Sequence, residues 1–130
     1  MRSIRTLFAA LALAGITGGT AAFATSAPPK PVVKVSSTFS GAKVNAGNVT
    51  MTMEGGKIML TLSDDVPDPK TPDPHWLVID RKGQTYLLDR LMIKDDKLNK
   101  TITLPAYIKD VAKVQVFCAW AVANLGEASF

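Results

Sequence analysis

The chain of 130 residues holds one cysteine, Cys118, and one histidine, His75. A single thiol cannot close a disulfide within the chain, and the two residues together cannot build a Cys/His zinc site or a Cys-Cys redox pair. Their remaining chemistry is narrow. A thiolate and an imidazole, joined by a carboxylate such as Asp68, would offer a sulfur, nitrogen and oxygen set to iron or copper. Without that convergence no cofactor is expected.

Cys118 lies in the apolar run Val114–Ala121, VQVFCAWA. Free cysteine behaves as a small buried hydrophobe, so core packing is the first expectation, a metal ligand the second, and a thiol linking two chains the third. Neither His nor Lys adjoins it in sequence to lower its pKa. His75 ends a proline-rich stretch and opens a strand, which predicts a place at a domain rim. A rim histidine is ordinarily solvated or hydrogen-bonded, and only a shared rim with Cys118 would make the pair a site.

Met51 and Met53, with Met59 beyond a turn, form an M-x-M pattern whose thioethers would suit Cu(I). The alternate spacing equally predicts two core residues on one strand face. Trp76 and Trp120 read as core aromatics with a polar handle at the edge. Asp64, Asp65, Asp68 and Asp73 are acidic enough for Ca²⁺, but the intervening prolines and Lys70 break the ligand spacing and predict a solvated loop. No Ser-His-Asp set, phosphate-cradling glycine loop or paired-carboxylate motif supports a hydrolase or kinase.

These residues need elements to hold them. Residues 1–24, MRSIRTLFAALALAGITGGTAAFA, carry Arg2 and Arg5, an apolar run from Leu7 to Ile16, and Ala22-Phe23-Ala24. That order predicts a Sec-type signal peptide cleaved after Ala24 and a periplasmic or secreted protein; the apolar run is too short to span a bilayer. Removal leaves 106 residues with 13 basic and 11 acidic side chains, a net charge of +2. The remaining lysines are scattered among acids, so nucleic acid is not an expected partner. No second apolar stretch reaches membrane-spanning length.

Residues 25–34 read as a linker, its prolines favouring an extended tether. From 35 to 130 the chain reads as one all-β domain. Asn48–Met53 and Lys57–Ser63 alternate in period two around Glu54-Gly55-Gly56, which predicts a hairpin. Asp64–Pro74, DDVPDPKTPDP, holds four of the eight prolines and predicts a stiffened surface loop. Trp76–Asp80 and Thr85–Ile93 predict a second hairpin around residues 81–84, Lys94–Lys100 a solvated connection, and Thr101–Leu104 and Lys113–Trp120 further strands. Several short strands without a helical period predict an immunoglobulin-like β-sandwich in a single domain.

Two of these segments carry a resemblance. Val66–Ile79, VPDPKTPDPHWLVI, resembles the iron-site segment of the superoxide reductases, the neelaredoxin and desulfoferrodoxin family, which reads approximately V-P-H-P-x-T-P-E-H-H-I-x-W-I. Val114–Ala121 resembles that family's closing strand, which ends in C-N-x-H-G. The family fold is an immunoglobulin-like sandwich that commonly assembles through its faces, which implies a homo-oligomer. Its ferrous iron is held by four imidazoles and an axial thiolate. Matched residue by residue, the axial ligand falls on Cys118, while the histidines fall on Asp68, Pro74 and Ala121, and the fourth has no counterpart among residues 32–65. His75 matches a neighbour that is not a ligand.

The resemblance therefore implies a retained scaffold without the imidazole plane, and no superoxide reductase activity. The expected function is a non-catalytic binding or interaction module. Its docking rim would comprise Asp68, Lys70, His75, Trp76 and Trp120, facing a protein or small ligand in the periplasm. The alternative is a periplasmic redox or electron-transfer protein that uses Cys118 and His75, with Asp68, to hold iron or copper.

Overall fold

The computed structural model describes residues 30–130 apart from 92, 95, 96 and 99. The expected signal peptide and residues 25–29 of the expected linker lie outside the described residues. Among the described residues there are ten strands and no helix: β1 (Val32–Val35), β2 (Val49–Glu54), β3 (Lys57–Leu62), β4 (Pro74–Ile79), β5 (Thr85–Arg90), β6 (Ile93–Lys94), β7 (Lys97–Leu98), β8 (Thr101–Thr103), β9 (Lys113–Cys118) and β10 (Ala123–Ser129). Two four-stranded antiparallel sheets, ordered β1-β2-β3-β8 and β10-β9-β4-β5, pack together as an all-β sandwich in one domain. We call them the first and second sheet.

Period-two alternation builds both layers. Along β3, Ile58, Leu60 and Leu62 are buried while Lys57, Met59 and Thr61 are exposed. Trp76 and Val78 of β4, with Val114, Val116 and Cys118 of β9, line the facing layer, and Phe39 and Leu91 close the core. Each large side chain so buried contributes about 1.5–3 kcal/mol. The first hairpin forms as its sequence predicts. Gly55 and Gly56 have φ of 57° and 77°, and this left-handed pair is the two-residue turn whose twist matches that of the strands it joins.

Three expectations change. Val32–Lys34 lie within the expected linker, yet they belong to β1 and pair with β2, Val32 opposite Met53 and Lys34 opposite Met51. Proline ends at residue 31, so the residues after it have N–H groups free for the open edge of β2. Within Lys94–Lys100, β6 and β7 pair instead of forming only a connection. The C-terminal strand β10, ANLGEAS, has no clean alternation and is held by its neighbours instead. It pairs with β9 through a bulge between Asn124 and Gly126, and its other edge is covered by residues 37–44. Ser40 and Glu127 exchange two backbone bonds of 3.0 and 2.9 Å there. Gly41 permits the approach, because a Cβ at that position would stand 2.5 Å from the Leu125 carbonyl oxygen.

Pro74 opens β4, a central strand flanked by β9 and β5. A first position is where such a strand tolerates a missing N–H. Its carbonyl still accepts a 2.7 Å bond from the N–H of Leu91.

Candidate functional site

Pro74 and Cys118 are cross-strand partners, as are His75 and Phe117. Cross-strand partners share a face and successive residues alternate. Pro74 and Cys118 therefore point into the core, and His75 and Phe117 point away from it. Cys118 is 1% exposed. The pairing that a Cys-His metal site needs is thus not made, although both residues stand at the same end of the second sheet.

Cys118 ends β9, where the chain turns through Ala119-Trp120-Ala121-Val122 into β10. The backbone N–H of Ala121 bonds to the sulfur and is the largest influence on it. Burial opposes by disfavouring the thiolate, but the N–H of Asp73, the Thr71 hydroxyl and the N–H of Trp120 add to the first, and the thiol is held below its ordinary pKa. The Thr71 contact is a loose one, since its buried oxygen makes no well-formed hydrogen bond. No flanking charge is involved; the donors come from the turn and from the end of the proline loop. The N–H of Ala119 donates to the Asp73 carbonyl at 3.0 Å and ties the two segments together.

His75 has a structural role on the outer face. Between His75 and Leu77 the β4–β5 register slips, leaving Leu88 and Asp89 without cross-strand partners. His75 Nδ1 lies 2.8 Å from the Leu88 carbonyl oxygen and serves as its donor. Nε2 lies 3.0 Å from Asp73 Oδ1, which Arg90 Nε also approaches at 3.4 Å. Arg90 Nη2 donates to the Pro72 carbonyl at 2.7 Å. The imidazole is engaged at both nitrogens and ties the proline loop to the bulge.

Asp68 is committed locally. Its Oδ1 accepts the N–H of Lys70 at 2.8 Å, an Asx turn that carries Lys70 at φ 47°. Among the described residues no three His, Cys, Asp or Glu side chains are grouped so that they could hold a metal ion. The residues implied by the resemblance do not fit a four-imidazole iron site, because proline and alanine occupy two ligand positions and the histidine faces away from the thiol. Thioethers do not fill the gap. Met51 is buried and paired with Leu60, whereas Met59 points outward opposite Thr52.

Of the expected rim, Lys70 is exposed, Asp68 and His75 are half-buried, and Trp120 is 77% exposed at the tip of the β9–β10 turn. Of the two tryptophans read as core aromatics, Trp76 is one, 1% exposed with an indole N–H that makes no hydrogen bond, and so is no part of the rim; Trp120 is corrected, being a surface residue beyond the end of β9. A Cys118-linked dimer is also disfavoured, since the sulfur is enclosed. Sequence reading missed Thr71, Arg90 and the exposed Val122, which sits at φ 51°, and named Asp73 only as part of an acidic loop. The alternation of β4 would have revealed the opposed faces of Pro74 and His75. Nothing local marked Arg90.

Fold and site define a single-domain β-sandwich with a buried, hydrogen-bonded thiol beneath an exposed aromatic turn. The chain was compared with family models, with curated proteins and with solved structures, and none matches.

Proposed function

We propose that this protein is an exported superoxide-reductase-like domain whose iron site has degenerated and which acts as a non-catalytic interaction module. The observation that carries the reading is the β9–β10 turn. Trp120 and Val122 are 77% and 78% exposed there, on a base pinned by the N–H contacts to Cys118 and by the Ala119–Asp73 bond. A rigid exposed tryptophan is the kind of side chain that dominates binding energy, because it buries a large area at little entropic cost. The proline loop, tied to this turn by the Ala119–Asp73 bond, carries the exposed Lys70 and accepts Arg90 at the Pro72 carbonyl; these two cations would supply the polar rim of such a contact.

Cys118 stands where the resemblance puts the axial ligand, and the N–H donors gathered around its sulfur support a scaffold of that descent. The test replaces Trp120 with a photo-crosslinking aromatic in the exported protein, with exposed Lys82, in the β4–β5 turn at the opposite end of the second sheet, as control. Adducts to one species from position 120 and not from position 82 support the reading; equal labelling from both defeats it. Stoichiometric iron with a thiolate charge-transfer band and rapid superoxide consumption would instead establish an active reductase.

A further inference from the structure

The end of the second sheet away from Cys118 carries a separate group of side chains. There the β4–β5 turn, residues 80–84, meets the β8–β9 loop, residues 104–112, and the N–H of Ala112 donates to the Ile79 carbonyl at 2.8 Å. Each segment is closed on itself. The N–H of Gly83 donates to the Asp80 carbonyl in one, and the N–H of Ile108 to the Pro105 carbonyl in the other, both at 3.0 Å. Ile108 and Val111 are buried and fix the loop to the core, while Tyr107, at the tip of its turn, is 66% exposed. The Tyr107 ring stands against that of Tyr86 on β5, with centroids 5.9 Å apart and planes inclined at 40°. Two carboxylates are locked beside this pair. Asp80 Oδ1 accepts the N–H groups of Lys82 and Gln84 at 2.9 Å each, and its Oδ2 accepts the Tyr86 hydroxyl at 3.0 Å. Asp110 Oδ1 accepts the N–H of Arg81 at 2.7 Å and so joins the loop to the turn. Burial, then the Asp80 bond and the charges of Asp80 and Asp110, raise the pKa of the Tyr86 hydroxyl, which places both carboxylates within electrostatic reach of it.

We propose that this end of the domain binds a neutral glycan, with one glucose-type pyranose stacked on Tyr107 and its hydroxyls taken by Asp110 and the Tyr86–Asp80 pair. The fold has little use for the Tyr107 ring, since a side chain two-thirds exposed adds little to stability. A ligand has more. The face of an aromatic ring is electron-rich and attracts the C–H face of a pyranose, whose equatorial hydroxyls then point outward around it. Asp110 Oδ2 makes no hydrogen bond among the described residues, and the Tyr86 oxygen, being the donor to Asp80, keeps lone pairs to accept with. The side chains of Arg81, Lys82 and Lys109 around them make no hydrogen bond or ion pair among the described residues and are donors to spare. Three cations against two carboxylates favour neither sign of ligand, whereas a neutral polyol uses acceptors and donors together. Because the carboxylates and both turns are already held by backbone bonds, binding orders few groups. The site lies at the opposite end of the sheet from Trp120, so its failure leaves the reading of that turn untouched. A glycan captured from position 82 would be a species other than any partner captured from position 120.

The test titrates isotope-labelled protein with cellohexaose and with maltohexaose and follows the backbone amide resonances. At least one of the two should shift signals confined to residues 80–86 and 105–112. Tyr107→Ala should weaken that binding at least about tenfold, as loss of an aromatic anchor does, while Tyr107→Phe, which keeps the ring, should stay within about threefold of wild type. Asp110→Asn keeps an oxygen for the Arg81 N–H but loses the charge that strengthens a hydroxyl's bond to it, and should weaken binding about threefold to tenfold. Circular dichroism confirms that each variant is folded, as expected at an exposed ring and an isosteric amide. Absence of shifts with both hexaoses at about 10 mM, where a site of about 1 mM affinity would be mostly filled, overturns the proposal. So does a folded Tyr107→Ala variant that binds like wild type, a Tyr107→Phe variant that loses binding, or shifts centred elsewhere on the domain. Tighter binding of hexagalacturonate than of either neutral hexaose also overturns it, because the lysines and arginine would then be selecting an anion.

Discussion

His75 and Cys118 stand on opposite faces of the sheet that β4 and β9 share, because Cys118 is paired with Pro74 and His75 with Phe117. One step along a strand reverses a side chain's direction, and that single step separates the only imidazole from the only thiol. The histidine then serves the bulge and the proline loop, while the thiol is enclosed by backbone donors.

Loss of the imidazole should therefore be a stability defect. His75→Ala leaves the half-buried Leu88 carbonyl without its donor and frees Asp73, and should cost about 1–2 kcal/mol in chemical denaturation. His75→Asn, whose amide can still donate, should recover part of the loss. Wild-type stability in His75→Ala would contradict the role given to this ring.

The thiol should titrate below 9.0, its ordinary value, when followed by thiolate absorbance. Thr71→Val and Ala121→Pro each remove a donor and should move the midpoint up. The sign follows from linkage. With a folded-state value below the unfolded one, the contribution to stability is complete above pH 9.0 and lost as the pH falls through the folded value. Cys118→Ser should lose that alkaline component, while an ordinary midpoint in wild type would refute the cradle.

The two tryptophans should behave oppositely. Trp76→Ala empties a core position and should cost about 3–5 kcal/mol, enough to unfold much of the protein. Trp120→Ala removes an exposed side chain and should change stability by no more than about 0.5 kcal/mol. In the crosslinking experiment the same Trp120→Ala change, with the probe moved to Val122, should abolish the adduct.

Val122 holds a left-handed conformation that β-branched residues disfavour. Val122→Gly should stabilise the domain by roughly 1 kcal/mol, the relieved strain outweighing the added chain entropy. Gly56→Val at the β2–β3 turn, with open space around it, should destabilise by a comparable amount for the converse reason. Thermal denaturation distinguishes the two signs.

Asp80 anchors the β4–β5 turn. Burial opposes its ionisation, yet the N–H of Gln84, the Tyr86 hydroxyl and the N–H of Lys82 together hold it below 3.8, its ordinary value. Its contribution to stability is present above that pH and lost as the pH falls through the lower folded value. Asp80→Asn should thus be less stable than wild type at neutral pH, with the difference narrowing below about pH 4 in acid denaturation.

Much of the fold was legible because a half-buried strand writes its own face into alternate residues. Ile58, Leu60 and Leu62 announced β3, and Gly55-Gly56 announced its turn. Strand β1 was obscured by the prolines before it, since VVKV at an exposed edge carries no burial pattern. Strand β10 was invisible for a different reason: Asn124 and Gly126 serve a bulge, and the pairing that holds the strand comes from residues 37–44 and β9. Trp76 was legible as a core aromatic, and only the resemblance set it on the rim; it is the second residue after Pro74 on a strand that alternates, and so shares the inward face of Pro74.

The sequence by itself determined the chemistry that was within reach: one thiol and one imidazole, with proline and alanine where the family resemblance puts two of its histidines. Composition settles such matters, because a missing side chain cannot be supplied by folding. The tertiary structure decided how the surviving groups are used. Strand register set His75 and Cys118 back to back, and two segments distant in sequence, the proline loop and the β9–β10 turn, brought their N–H groups to one sulfur. Local pattern encodes which face a residue prefers, but only the pairing of strands fixes what stands opposite it.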